Sequence, residues 1–256
     1  MIVRVDLDQF QYGKKAQPVL RDVHFEIGTG QILTILGQNG TGKTTLLHCL
    51  LGYHKTYSGA IEIDGREVRE LSIHQRAQAF AYVASSISVH QDLRVADYLV
   101  TGFTNSFSLL GSPKGDHYLQ AHTMLDSFGQ ASLYDRLLSR LSAGERQMVM
   151  ICRAILQGSL GLILDEPTAN LDLGHQEKTL AVMARLANQG STIITTTHNL
   201  THALSLGGRV LLLTPEKALY GDAHEIITKE RIESAYDVGV DLVTINGKTV
   251  ISFSAK

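Results

Sequence analysis

The stretch GQNGTGKT, Gly37 to Thr44, follows the apolar run QILTIL and leads directly into TTLLHCLLG. Strand, glycine-rich loop and helix in that order leave few ways to fold. The glycines let backbone N–H groups turn inward around a polyphosphate, and the helix that follows offers its N-terminal dipole. Within the loop, Lys43 has the reach for the terminal phosphates and the Thr44 hydroxyl can hold Mg²⁺. Gly37, Gln38, Asn39, Gly40, Thr41, Gly42, Lys43, Thr44 and Thr45 are therefore the expected phosphate-binding residues.

A strand–loop–helix opening of this kind calls for further strands to build a parallel sheet, and the chain supplies them. Short β-type runs (AIEIDG, LGLILD, STIITTT, RVLLLT) alternate with longer helical patterns, the signature of an α/β fold. From about residue 85 to 158 that rhythm breaks into mostly helical patterns (VADYLVTGF, DHYLQAHTMLDSFG, GERQMVMICRAILQG). The expected organisation is a nucleotide-binding core in two parts, 1–84 and 159–236, a helical subdomain 85–158 inserted between them, and a C-terminal hairpin 237–256 with its turn at Asn246-Gly247. The opening MIVRVDLDQF alternates like a strand, not like a charged-then-apolar leader.

Two carboxylates close the buried-type strand LGLILDEP, at Asp165 and Glu166. Ligands of open α/β sheets bind at the carboxyl ends of the strands, and adjacent acids there divide the work. Asp165 reads as a Mg²⁺ partner through water, and Glu166 as the base that polarises an attacking water; the competing reading is an ordinary strand end with solvated acids. His198, directly after STIITTT, can contact a γ-phosphate and hold Glu166 and water in line; His198 with His202 is a weak metal-pair pattern lacking a third ligand. LSAGERQ, Leu141 to Gln147, fits a capping box in which Ser142 caps the helix and Glu145 reaches back. A helix N-terminus that presents Ser142 and Gly144 is also an anion site.

Composition excludes some classes of partner. A formal charge of −2 over 256 residues provides no basic field for nucleic acid, so none is expected. No run of about 18 apolar residues occurs, and work at a membrane would go through a partner. Cys49 and Cys152 sit in apolar surroundings and read as small buried hydrophobes.

GQNGTGKTT, LSAGERQ, LILDEPTANLD and TTTHN, in that order and across essentially the whole chain, resemble the ATP-binding cassette (ABC) ATPases. The resemblance implies a P-loop NTPase (RecA-like) core with an N-terminal antiparallel β region and an inserted helical subdomain. It also implies ATP hydrolysis with Mg²⁺. Tyr12 resembles the aromatic that stacks on adenine. Lys43, Glu166 and His198 match the catalytic positions, and Thr44 and Asp165 the metal positions. Ser142 and Gly144 match, and Ala143 and Glu145 occupy, the signature positions that meet ATP held by a second subunit, expected to be identical, so that two ATPs lie between two head-to-tail copies. Asn170, Leu171 and Asp172 match the loop that faces that subunit.

Three positions depart from the family. Ala143 and Glu145 stand where LSGGQ has glycine and glutamine, and the charge of Glu145 is expected to weaken ATP-driven closure. Ser85 stands where the family has a glutamine that reaches Mg²⁺ and moves with the membrane partner; Gln91 is the alternative. The tail YGDAHEIITKERIESAYDVGV and the run VADYLVTGF resemble the ATPases of bacterial importers of iron-siderophores, haem, cobalamin and other metal chelates. That implies a peripheral subunit on the cytoplasmic side of the inner membrane, beneath a polytopic permease and indirectly served by a substrate-binding protein. The alternatives are a soluble ABC ATPase of a cytosolic assembly complex, such as an iron–sulfur scaffold, and a single-domain P-loop kinase.

Overall fold

The computed structural model describes residues 1–13, 15–85, 93–106, 113–245 and 248–254. They form two compact units, 1–71 together with 180–256, and 72–179. The chain opens in the first unit with β1 (Val3–Phe10), β2 (Leu20–Ile27), β3 (Ile32–Leu36), α1 (Lys43–Leu50), β4 (Ser58–Ile63) and β5 (Arg66–Glu67). The second unit holds α2 (Ile73–Ala79), β6 (Phe80–Val83), α3 (Val95–Val100), α4 (Gly115–Ser127), α5 (Ala143–Leu156) and β7 (Gly161–Leu164). Helix α6 (Leu173–Asn188) begins in the second unit and ends in the first, which resumes at Leu180 and continues with β8 (Thr192–Thr197), α7 (Leu200–Leu206), β9 (Arg209–Leu213) and β10 (Ala218–Asp222). Helices α8 (Ala223–Ile226) and α9 (Lys229–Tyr236) and the strands β11 (Gly239–Ile245) and β12 (Lys248–Ser254) complete it.

In the first unit β1 pairs antiparallel with β2 and β4, and its alternation decides which face is inward. Val3, Val5 and Leu7 are buried, whereas Arg4 and Asp6 between them are exposed. One face of such a sheet meets the core and the other meets water. The strand β3 behaves differently, because all five of its residues are buried. It runs parallel to β8 on one side and β9 on the other, and a strand flanked on both edges and covered on both faces needs the near-continuous apolar run that ILTIL provides. The register Leu36↔Thr197 puts the ends of β3 and β8 side by side. Leu36, Leu200, Val210, Leu212, Ile226, Ile232 and Val240 share one buried cluster, against which Leu242 and Ile251 of the terminal pair β11–β12 pack. The hairpin turn expected at Asn246-Gly247 lies outside the described residues.

The second unit is wider than the helical stretch read from the sequence. It starts at Ser72, whose side chain caps α2, and it includes the parallel pair β6–β7. The reason is a set of bonds that bind the C-terminal end of α5 to α2 and β6. Gln157 Nε2 donates to the Ala77 and Phe80 carbonyls at 2.9 and 3.3 Å, and the Ser159 hydroxyl donates to Ala77 O at 2.6 Å. Leu160 N–H then bonds Gln78 O, so β7 begins where α2 ends. The fold is thus mixed α/β with an antiparallel N-terminal sheet, parallel core strands and an inserted helical region. Cys49 and Cys152 are both buried and unbridged, and burial pushes the Cys49 thiol up to about 12. No helix among the described residues is long and apolar enough to cross a membrane.

Candidate functional site

The phosphate loop of the first unit begins where the buried strand β3 ends. A side chain at Gly37 would lie 2.5 Å from Thr41 Oγ1 and 2.6 Å from Leu213 O, so this position admits only glycine. Gly42, the residue before α1, has φ +95°, in the left-handed region that favours glycine. Between them the loop closes on itself, with Thr41 donating through N–H and Oγ1 to Gln38 O at 3.4 and 2.9 Å. Lys43 is 6% exposed, and its Nζ donates to Gly37 O at 2.8 Å and Gln38 O at 3.0 Å. An ammonium withdrawn from water is costly unless it is bonded; the loop carbonyls bond it and hold it turned into the loop. Asn39, Gly40 and Thr44 are exposed, while Thr45 is buried.

Tyr12 is 62% exposed, and its hydroxyl shares a 2.8 Å hydrogen bond with Thr45 Oγ1. Its ring meets Phe10 and His54 edge-on, at centroid distances of 5.1 and 5.3 Å. An exposed ring braced on two sides and tied to the first turn of α1 is placed to stack on a base. Nothing in the sequence singles out His54, because its partners Phe10 and His48 are brought to it only by the fold; burial, and then His48, lower its pKa. At the end of β8, His198 is exposed. The neighbouring Asn199 caps α7 by accepting from Thr201 N–H and His202 N–H, and its amide nitrogen lies 3.2 Å from the ring of the buried His202. His202 is thus taken up by the cap.

In the second unit β7 is buried throughout. Asp165 extends its pairing by donating N–H to Val83 O at 2.9 Å and is 3% exposed. Glu166 has φ +46° and Asn170 φ +59°. A non-glycine residue in this region carries a cost of about 1–2 kcal/mol, and such outliers concentrate at functional sites. The loop that follows is braced by Gln176 Nε2, which donates to Leu171 O at 3.0 Å. Asp172 accepts His175 N–H at 2.9 Å and pairs with His175 Nδ1 at 2.7 Å. The bond from the His175 backbone, followed by that from its ring, holds the Asp172 carboxyl below its usual range.

Ser142 begins α5. Its hydroxyl accepts from Glu145 N–H at 3.2 Å, and Glu145 Oε2 accepts Ser142 N–H at 2.8 Å, the full capping box. The other oxygen of Glu145 pairs with Arg136 Nη1 at 2.8 Å. The Ser142 N–H first, and Arg136 further, hold the Glu145 carboxyl below its ordinary value. The charge expected to oppose a phosphate is therefore already bonded on both oxygens. Ala143 takes the first helical position and Gly144 is buried in the first turn. Ser85 is exposed, and its alternative, Gln91, lies outside the described residues.

These residue types fit MgATP. In the first unit the loop of Gly37 to Thr45 can cradle phosphates around a buried Lys43, with the Thr44 hydroxyl as an oxygen donor and Tyr12 as an exposed ring; in the second, considered by itself, the Asp165 carboxylate is an oxygen donor of the kind Mg²⁺ takes. The ABC transporter family profile matches residues 20–169. The molybdate import ATP-binding protein MolC of Haemophilus influenzae is 31% identical over 85% of this chain and 81% of its own. The iron(3+)-hydroxamate import ATP-binding protein FhuC of Bacillus subtilis is 28% identical over 93% of this chain and 89% of its own. Among solved structures, a chain described as belonging to a metal-chelate type ABC transporter in an inward-facing conformation superposes with a TM-score of 0.84, at 28% identity, over 98% of this chain and 95% of that one. With more than half its length inside the family profile and its motifs in the family order, the chain belongs to the ABC transporter family, as one of its ATPases.

Proposed function

We propose that the chain is the ATP-hydrolysing subunit of an importer, that two copies close around two MgATP, and that a polytopic permease carrying iron or another metal as a chelate is its membrane partner. One observation carries the nucleotide half of this reading: a buried lysine held by two carbonyls of its own glycine loop, at the end of a buried parallel strand. The importer half rests on relatives named for import of molybdate and ferric hydroxamate and on the metal-chelate type transporter.

Each residue has a role in this reading. Tyr12 stacks on the adenine. Backbone N–H groups from Gly37 to Thr45 and the Lys43 ammonium take the phosphates, with Thr44, Asp165 and Ser85 on the metal side. Mg²⁺ supplies charge neutralisation of the phosphate oxygens. Glu166 accepts the proton of the attacking water, and His198 holds the γ-phosphate in line. Ser142, Ala143, Gly144 and Glu145 meet the nucleotide of the second copy, and Asp172 faces that copy. Because the nucleotide binds the closed pair better than the open one, it shifts the population toward closure, and hydrolysis releases it. The subunit works at the cytoplasmic face of the inner membrane, and a substrate-binding protein delivers the cargo to the permease.

The test is copurification from membranes in mild detergent. A polytopic partner with two copies of this chain supports the importer reading, and growth dependence on a chelated metal identifies the cargo. Ser85 in place of the glutamine favours a second reading, an ATPase of a cytosolic assembly complex. Exclusively soluble partners would establish that one.

A further inference from the structure

Glycine weakens a helix relative to alanine, yet Gly144 lies in the first turn of α5 with no positive φ to require it. Space requires it instead. A Cβ at this position would lie 2.2 Å from Cγ and 2.3 Å from Cδ2 of His175. Cγ is the ring atom nearest the main chain, so no small movement of a flexible tip relieves the overlap. A change of rotamer would, but the ring is pinned by Asp172 through the 2.7 Å contact at Nδ1, while the His175 main chain is held by Asp172 Oδ1 at 2.9 Å and by the Thr179 hydroxyl at 2.8 Å. Asp172 lies in a loop that Gln176 braces, and Gly144 lies in a turn fixed by the Ser142–Glu145 capping box. The imidazole sits between two stiff pieces of backbone.

We propose that His175 is a positioning residue of the ATPase: clamped by Asp172, it wedges against Gly144 and makes the first turn of α5 and the loop 170–172 move as one body. The absence of a side chain at residue 144 then serves this chain's own histidine, apart from any approach to a phosphate. The proposal rests on the reading that Ser142, Gly144 and Asp172 face the nucleotide and main chain of a second copy. Removing the ring frees the two surfaces from each other, so closure and turnover suffer while ATP binding by the phosphate loop of the single subunit does not. A rigid body that presents two surfaces at once loses little entropy on closing.

A double-mutant cycle on the full chain tests this, with kcat for phosphate release and, in a Glu166→Gln background, ATP-driven dimerisation by sedimentation as readouts. Gly144→Ala is expected to lower both about tenfold or more, His175→Ala alone about threefold to tenfold, and the double variant to recover at least about threefold over Gly144→Ala. ATP affinity of the separated subunit stays unchanged in all three. Rescue by a second loss ties the Gly144→Ala defect to the histidine, and lowered closure with unchanged ATP affinity of the separated subunit is what a general folding defect would not give. Additive effects in the cycle would overturn the proposal, as would a His175→Ala protein with wild-type kcat, a result that stands even if Gly144→Ala fails to fold. Failure of the Glu166→Gln parent to dimerise with ATP is a different outcome: it removes the two-copy reading on which the proposal rests, and so the proposal with it.

Discussion

Two helices begin in motifs assigned to the same nucleotide chemistry, and they begin in opposite ways. No side chain caps α1; Gly42 stands before it in a left-handed conformation, and its first turn has no acidic residue. Helix α5 begins with a full capping box, with Glu145 in its first turn and Arg136 bonded to that glutamate. A helix N-terminus leaves up to four N–H groups to satisfy. At α1 no side-chain cap contributes to that, and the glycine loop itself leads into the first turn. At α5 the chain satisfies it internally, so the turn is built before any ligand arrives. On the proposed function, one start is a binding device and the other a preformed surface.

The largest effect should come from the device. Lys43→Ala removes the buried ammonium bonded to the Gly37 and Gln38 carbonyls, and loss of such a donor costs about a hundredfold or more in turnover. Steady-state phosphate release, together with a thermal unfolding profile that no longer shifts with ATP, checks this. A variant that keeps its ATP-induced stabilisation would remove the special status given to the start of α1.

Glu166 sharpens the contrast from the carboxylate side. In the phosphate loop glycines occupy the left-handed positions, whereas after β7 a glutamate does, at φ +46°. Glu166→Gly should therefore raise unfolding stability, by about 1 kcal/mol, while turnover falls about a hundredfold or more for loss of the proposed base. Chemical denaturation beside phosphate release measures both. A destabilised variant would mean that the glutamate side chain holds its own loop, and the strain would not belong to catalysis.

Sequence made the first of these regions legible and the second only partly so. GQNGTGKT and LILDEP are contiguous, because a loop that wraps phosphate and a strand that ends in acids are local objects. Ser142 and Glu145 are three residues apart, and their box was readable for the same reason. Nothing in the chain marks Arg136 as the partner of Glu145, since it stands nine positions earlier, before α5 begins. His175 carries no such mark either: its Asp172 lies three residues away, but the approach that gives it meaning is to Gly144, thirty-one positions earlier. The hydrogen bonds by which Gln157 and Ser159 reach back to Ala77 leave no pattern in the chain either.

Smaller effects test the preformed start. Ser142→Ala removes the hydroxyl that accepts Glu145 N–H and should cost about 1 kcal/mol of stability. Equilibrium unfolding in denaturant reads this directly, and loss below a few tenths would show that the box is not what holds the turn.

The smallest effect, and the most discriminating, concerns Glu145. Glutamine keeps the shape and the back-bond to Ser142 N–H but loses the charge and the ion pair with Arg136. That pair is part-exposed, so stability should change by less than about 1 kcal/mol. The folded pKa of Glu145 is lowered, so its contribution is full above the ordinary glutamate value and disappears as pH falls through the lowered one. Wild type and Glu145→Gln should therefore differ at neutral pH and converge in acid, with Ser142→Ala below both at neutral pH. Because Arg136 already offsets much of the charge, ATP-driven dimerisation should tighten in Glu145→Gln by no more than about threefold. Unchanged dimerisation would mean that the glutamate never meets the nucleotide electrostatically, and the capped start of α5 would then differ from α1 in geometry alone.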